Sequence, residues 1–296
     1  MINAGTRLIG LFGHPVEHSF SPVFMNHALK LLKINAKYLA FDVEPGMLNG
    51  AVQAARTLKM VGFNITIPHK QAIIKYTDST EENAEKIGAV NCVSNNGGKL
   101  KGYNTDYIGF IEPLEQRDIN LAKKAVLIIG AGGAARAVAY AIVKKNPLKI
   151  TIINRTREKG QDFVKWLQKE SRDIPVFYGG KPEDICQNTI DENYLIINTT
   201  PVGMYPDINS SPLPPGISFS KNNVVYDLIY NPAQTTLLKK AHECGSISIN
   251  GFEMLISQGL YSLKIWFPEK EESIKSKRQA ILEYAEKQFY QISSQQ

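Results

Sequence analysis

The chain has 296 residues, enough for two domains with their own cores at about 150 residues each, and its 43% hydrophobic and 21% charged residues with 22 glycines and 15 prolines exclude collagen-like and low-complexity classes. Three cysteines, Cys92, Cys186 and Cys244, show no CxxC or Cys/His spacing, so neither a disulfide framework nor a structural zinc is expected, and a reducing cytoplasm fits. The net charge of +6 is spread as doublets (Lys123-Lys124, Lys144-Lys145, Lys239-Lys240), not gathered into the basic face a nucleic acid requires.

The N-terminus, MINAGTRLIGLFG, lacks the apolar core of a signal peptide. Short β-branched runs then alternate with helical stretches, the pattern of an α/β protein with mostly parallel sheets. Leu8 to Phe12, Lys37 to Val43 and Val61 to Thr66 read as strands, with helices over Phe24 to Leu32 and Gly46 to Leu58 between them. A helix from Tyr107 to about Gln116 would join this half to a second series. That series reads strand Ala125 to Ile129, helix Ala134 to Lys145, strand Lys149 to Ile153, helix Glu158 to Glu170, and strands Tyr194 to Asn198 and Asn223 to Leu228. The segment Ala125 to Val143 is apolar enough to suggest a membrane span. Its glycines and Arg136 instead make it a buried strand, a tight turn and a packed helix. From Phe252 onward the chain is helical again, with Ile274, Ile281, Ala285, Phe289 and Ile292 on one apolar face.

The strand AVLII runs into Gly130-Ala131-Gly132-Gly133-Ala134-Ala135, a G-x-G-x-x-A fingerprint. Its first glycine permits the turn, its second lets backbone approach a pyrophosphate, and Ala135 allows close helix packing. The following helix offers free N–H groups and a positive dipole end to phosphates. Beyond the next strand, where an acid would hold the ribose of NAD, stands Asn154-Arg155-Thr156. Arg155 can give a guanidinium fork to a 2′-phosphate, with Arg157 or Lys159 adding charge, which selects NADP.

Four patches in the first half hold more small polar groups than a core needs. In Gly13-His14-Pro15-Val16-Glu17-His18-Ser19-Phe20-Ser21-Pro22, Ser21 reads as a helix N-cap and Pro22 as the first helical residue. The hydroxyls of Ser19 and Ser21 there suit a carboxylate. His14 and His18 are four apart, but Pro15 disfavours the helix a metal pair would need, so no metal is expected. Asn64-Ile65-Thr66-Ile67-Pro68-His69-Lys70 ends a strand, where ligands of open α/β sheets sit. Gly88-Ala89-Val90-Asn91 and Gly102-Tyr103-Asn104-Thr105-Asp106 bring an amide and a carboxylate; Asp106 could equally serve a helix dipole.

The ordered set GHPVEHSFSP, NITIPHK, GAVN, GYNTD, GAGGAARA, NRT, NTTPVGM (Asn198 to Met204), YDLIYNP (Tyr226 to Pro232) and NGFEMLISQG (Asn250 to Gly259) resembles the shikimate dehydrogenase family over nearly the whole chain. The resemblance implies NADP-dependent reversible reduction of 3-dehydroshikimate to shikimate by a soluble monomer or homodimer. It also implies a two-domain α/β fold: a substrate domain of residues 1–106 and 252–296, to which the C-terminal helices return, and a Rossmann-type NADP domain of residues 107–251. By motif position, Lys70 and Asp106 would be the catalytic pair. Ser19, Ser21, Thr66, Asn91, Tyr230 and Gln258 would bind substrate. Gly130, Ala131, Gly132, Gly133, Ala134, Asn154, Arg155, Thr156, Arg157, Lys159, Leu228 and Gly251 would bind the cofactor. Cys92 stands where the family usually has threonine, and Tyr107 where glycine is common. Quinate as substrate, or an NADP-sensing protein without catalysis, are the alternatives.

Overall fold

The computed structural model describes residues 2–171 and 173–293. The chain separates into two compact units: residues up to Gly109 together with those from Leu255 on, and Phe110–Met254.

The first unit is built on strands β1 (Arg7–Gly13), β2 (Ala36–Asp42), β3 (Gly62–Ile65), β4 (Ser79–Thr80), β5 (Cys92–Asn96) and β6 (Lys99–Tyr103). They lie in the order β2-β1-β3-β5-β6-β4. β1 pairs in parallel with β2 and β3, whereas β5 runs antiparallel to β3 and folds back on β6 as a hairpin. The sequence reading missed that hairpin, although Asn95-Asn96-Gly97-Gly98 carries its turn, with φ values of 61° and 90° at the two glycines. One sheet face packs Phe12, Val52, Phe63, Ile65, Ile73, Val93 and Leu100 into a single cluster, and Phe12 stacks on Phe63 with ring centroids 4.6 Å apart.

On the other face lie the helices Ser21–Leu31, Phe252–Trp266 and Glu271–Ser293. Two contacts require glycine: a Cβ at Gly259 would sit 2.5 Å from the Phe24 ring, and one at Gly62 would sit 2.2 Å from Trp266 Nε1. The Trp266 indole N–H donates to the Val93 carbonyl at 2.9 Å, which seals it on the sheet. The C-terminal helix docks on the first one: Phe20 meets Phe289 edge-on at 5.5 Å, and Lys277 Nζ donates to Leu31 O at 2.7 Å. Its expected apolar face is buried at Ile274, Ile281, Ala285 and Phe289. Ile292 is a correction, at 40% exposure, because the helix runs on past the surface it covers.

The second unit carries β7 (Ala125–Ile129), β8 (Lys149–Ile153), β9 (Val176–Gly180), β10 (Leu195–Asn198), β11 (Val224–Asp227) and β12 (Ile247–Ile249), in the order β12-β11-β10-β7-β8-β9. Every pairing is parallel. From the other edge this is the 3-2-1-4-5-6 order of doubly wound dinucleotide-binding sheets, whose strand order reverses between β7 and β10. Such a sheet is covered on both faces, so β7, β10 and β11 are buried at every position, and their sequences are apolar except for Asn198 and Asp227 at the ends of β10 and β11. The helices Gly133–Val143 and Arg157–Ser171 follow β7 and β8, and Arg136 of the first lies 4.5 Å over the Trp166 ring of the second. Among the described residues no helix is long and apolar enough to cross a membrane.

Candidate active site

β3 and β5 carry the polar residues of the first unit to the same end of the sheet. Lys70 follows the Pro68 break, and its Nζ donates to Asp106 Oδ2 at 2.7 Å, with both side chains largely buried. Asp106 does not cap its own helix. Asn104 does so, its Oδ1 accepting from the backbone N–H groups of Asp106 at 3.0 Å and Tyr107 at 3.4 Å. The carboxylate is thereby left to other partners, and Asn91 Nδ2 donates to its second oxygen, Oδ1, at 2.7 Å. The orientation of the Asn91 amide follows from one contact: Thr105 N–H, which can only donate, lies 2.6 Å from Asn91 Oδ1. Gln258 Oε1 completes the group 3.4 Å from Asn91 Nδ2, and its Nε2 donates to Leu255 O at 2.8 Å.

Thr66 lies beside this group, its backbone N–H donating to Phe12 O at 2.9 Å. Gly13 has to be glycine because a Cβ there would fall 2.2 Å from the Thr66 methyl. The loop after Gly13 returns along the same strand end, His14 N–H donating to Ile67 O at 2.9 Å. Within it Ser21 is not the N-cap: the helix begins at Ser21 itself, with Phe20 as N-cap and no side-chain cap bond. Ser19 takes up the orphan donor instead, its Oγ accepting from Ser21 N–H at 3.3 Å. His14 Nδ1 pairs with Asp42 Oδ1 at 3.0 Å. His69, also in the motif, is buried and bonded to Val43 O at 2.6 Å, a structural role. Cys92 is buried beneath the cluster, and burial pushes its thiol up to about 12 against a hydrogen bond to Ser262.

The second unit holds the other group. Gly130 takes φ 112°, a conformation L side chains rarely adopt, and a Cβ there would lie 2.3 Å from Thr199 Oγ1. Its N–H donates to Ile153 O at 2.8 Å, setting the turn alongside Asn154 at the end of β8. A Cβ on Gly132 or Gly133 would meet nothing within 4 Å, so an open cradle lies over the helix N-terminus. That helix has Gly132 as N-cap and no side-chain cap bond, so its first N–H groups, those of Ala134 included, remain available. Asn154 Nδ2 donates to Thr156 O at 2.7 Å and braces the next turn. Arg155, Arg157 and Lys159 stand exposed with no carboxylate partner among the described residues. These features fit a dinucleotide carrying an extra phosphate: backbone donors for the pyrophosphate, cations for the 2′-phosphate. Leu228 and Gly251 form one contact, since a Cβ at Gly251 would fall 2.0 Å from Leu228 O. Tyr230 is half-buried in the loop after β11 and belongs to this unit.

Several residues of both groups have structural parts that the sequence motifs do not assign. In the first unit they are Asn64, Asn104, Thr105 and Ser262, all buried. In the second, Asp227 gathers three donors: Asn198 Nδ2 at 3.0 Å, Ile229 N–H at 3.1 Å and Thr235 Oγ1 at 2.7 Å. Burial pushes the Asp227 carboxyl up to about 6 despite those bonds. Asn64 and Asp227 each interrupt an apolar strand with a polar residue, a signal that was present in the sequence. Ser262 gave none, because its partner Asn64 is 198 residues away along the chain.

A doubly wound parallel sheet with a glycine turn at its strand-order reversal, and a separate buried lysine–aspartate pair, define a dinucleotide-dependent oxidoreductase. A family model described as shikimate dehydrogenase substrate binding domain matches residues 11–93, and one described as shikimate / quinate 5-dehydrogenase matches residues 113–177. A shikimate dehydrogenase (NADP(+)) of Methanococcus maripaludis strain S2 is 46% identical over 283 residues, 95% of this chain and 99% of that one. A crystal structure of a shikimate dehydrogenase in complex with NADP+ superposes with a TM-score of 0.85 at 42% identity, covering 96% of this chain and 97% of the other. The Thermus thermophilus shikimate 5-dehydrogenase, in complex with NADP(H) and shikimate, superposes with a TM-score of 0.81 at 30% identity, over 95% of this chain and 98% of the other. The chain belongs to the shikimate dehydrogenase family.

Proposed function

We propose that the protein catalyses the NADP-dependent, reversible reduction of 3-dehydroshikimate to shikimate in the cytoplasm. The first unit holds the substrate and the second the cofactor. The observation that carries this reading is the buried contact of Lys70 Nζ with Asp106 Oδ2 at 2.7 Å, with Asn91 on the other carboxylate oxygen. A largely buried ion pair gains little net stability, because desolvation offsets its attraction, so its presence is best understood as functional.

Bound NADPH supplies the hydride. As negative charge builds on the ketone oxygen, the Lys70 ammonium stabilises it and delivers the proton that completes the alcohol, a contribution of about 10²- to 10⁴-fold for a placed general acid. Asp106 keeps that ammonium aimed, and accepts a hydrogen bond from a neighbouring ring hydroxyl. Asn91 fixes the carboxylate, while Thr66, Tyr230 and Gln258 bind ring oxygens. Gln258 spends one amide hydrogen on Leu255 O and offers the other, so it serves as a donor to substrate. Ser19 and Ser21 take the substrate carboxylate through hydroxyl and backbone donors at the start of the helix. Gly130 to Ala134, Leu228 and Gly251 shape the cofactor bed, and Asn154 to Lys159 meet its 2′-phosphate.

The test is a matrix of NADP+ and NAD+ against shikimate and quinate, followed by reduced-cofactor absorbance. Turnover concentrated in the NADP+ and shikimate pair is expected. No turnover in any pair overturns the activity, and equal turnover of quinate reassigns the substrate.

A further inference from the structure

The cluster at Asp106 does not end at Asn91 and Gln258. Behind them a buried row of hydrogen bonds runs from β2 to the helix Phe252–Trp266. The Tyr38 hydroxyl donates to Asn64 Oδ1 at 2.9 Å. Asn64 then uses Nδ2 twice, donating to Asn91 O at 3.0 Å and to Ser262 Oγ at 2.9 Å. Ser262 has one hydroxyl hydrogen, and it goes to Gln258 O at 3.0 Å, so toward Asn64 this oxygen is an acceptor. Thr105 Oγ1 lies 3.4 Å from Ser262 Oγ and accepts from Asn91 Nδ2 at 3.0 Å. Its hydroxyl also lies 3.5 Å from Gln258 Oε1.

Thr105 thus touches the Asn91 and Gln258 amides from behind, and Ser262 reaches them through Thr105, Asn64 and the Gln258 carbonyl; neither hydroxyl has a side-chain hydrogen bond to Lys70 or Asp106 among the described residues. The Asn91 amide cannot turn over without facing the Thr105 N–H with another donor and the Asp106 carboxylate with another acceptor. We infer that Ser262 and Thr105 are positioning residues: through Asn64, Asn91 and Gln258 they hold the Asp106 carboxylate in the orientation that meets Lys70 Nζ. The inference rests on the reaction proposed above and names the support its acid–base pair depends on.

The test is a double-mutant cycle on the full-length protein. Ser262→Ala is expected to lower kcat about 10-fold while moving the KM for shikimate by less than about threefold, the signature of lost alignment rather than lost binding. In an Asp106→Asn background the same change should cost less than about twofold, because the group it orients is already altered. Thr105→Val should match Ser262→Ala, and Thr105→Ser, which keeps the hydroxyl, should restore kcat. Equal factors in both backgrounds, an effect confined to KM or to thermal stability, or a Thr105→Ser variant as slow as Thr105→Val would overturn the assignment. Should Ser262→Ala fail to fold, the Thr105 pair, measured in both backgrounds, decides alone. A parent chain that does not reduce NADP+ with shikimate overturns the reaction itself, and the inference falls with it. An active parent with additive factors removes only the inference.

Discussion

The two groups are made of different materials. Around Lys70 and Asp106 the clustered polar atoms belong to side chains, mostly buried and cross-bonded, with Asn104, Thr105 and Asn91 each spending polar atoms on a neighbour. Around Gly130 the available polar atoms are backbone N–H groups, and the neighbouring cationic side chains, Arg155, Arg157 and Lys159, stand in solvent. A reacting centre needs donors and acceptors fixed to a fraction of an ångström in low dielectric. A diphosphate needs only a row of oriented dipoles and some mobile positive charge, since its own charge does much of the work. One group should therefore respond to mutation through turnover, and the other through cofactor affinity.

Lys70→Ala gives the largest expected effect: kcat lower by about 10² or more with a smaller change in substrate KM. Unchanged turnover would abolish the contrast, since Lys70 would then be merely a buried cation. Arg155→Ala is expected to act on the other side only, weakening NADPH by about 1.5–3 kcal/mol for a lost charged hydrogen bond. NADH affinity and saturated turnover should stay as they were, and titration with both cofactors measures the difference. Gly130→Ala forces a side chain into a left-handed backbone and against Thr199, so a loss of about 1–3 kcal/mol in unfolding free energy is expected, with raised cofactor KM. Denaturant titration of the variant with and without NADP+ separates the two.

Asp227→Asn sharpens the comparison by testing a buried carboxylate outside the Lys70 group, with the smallest expected effect on activity. Because burial raises its folded-state pKa to about 6 from a reference of 3.8, the folded protein holds that proton more tightly than the unfolded chain. Its contribution to stability is fully present below the reference value and is lost as pH rises through about 6. Asparagine imitates the protonated acid, keeps the oxygen that accepts from Asn198 and Ile229, and removes this loss. The variant should match or exceed the parent in thermal stability at alkaline pH and gain nothing under acid conditions. A variant less stable than the parent throughout would show that the ionised group is favourable where it lies.

The same contrast explains what could be read from the sequence. The glycine turn, the helix after it and the arginine beyond β8 were legible because each lies within a few residues of the strand that positions it. The residues Lys70, Asn91 and Asp106 were legible as motifs, but what holds them was not: Asn64 finds Ser262 across 198 residues. Ser21 was misplaced by one step because serine followed by proline looks like a cap, whereas Phe20, anchored against Phe24 and Phe289, starts the helix earlier. The β5–β6 hairpin breaks the alternation of strand and helix that most of the sequence keeps. Its strands are joined directly, with glycines at the turn.

The two tryptophans fall one to each unit. Trp266 lies sealed on the sheet of the first with its indole bonded to Val93 O, and Trp166 lies half-buried under the Arg136 guanidinium in the second. A phenylalanine at either position therefore leaves an intrinsic fluorophore that reports on a single half of the molecule. Ligand titrations and unfolding curves can be recorded for each half separately, without any added label.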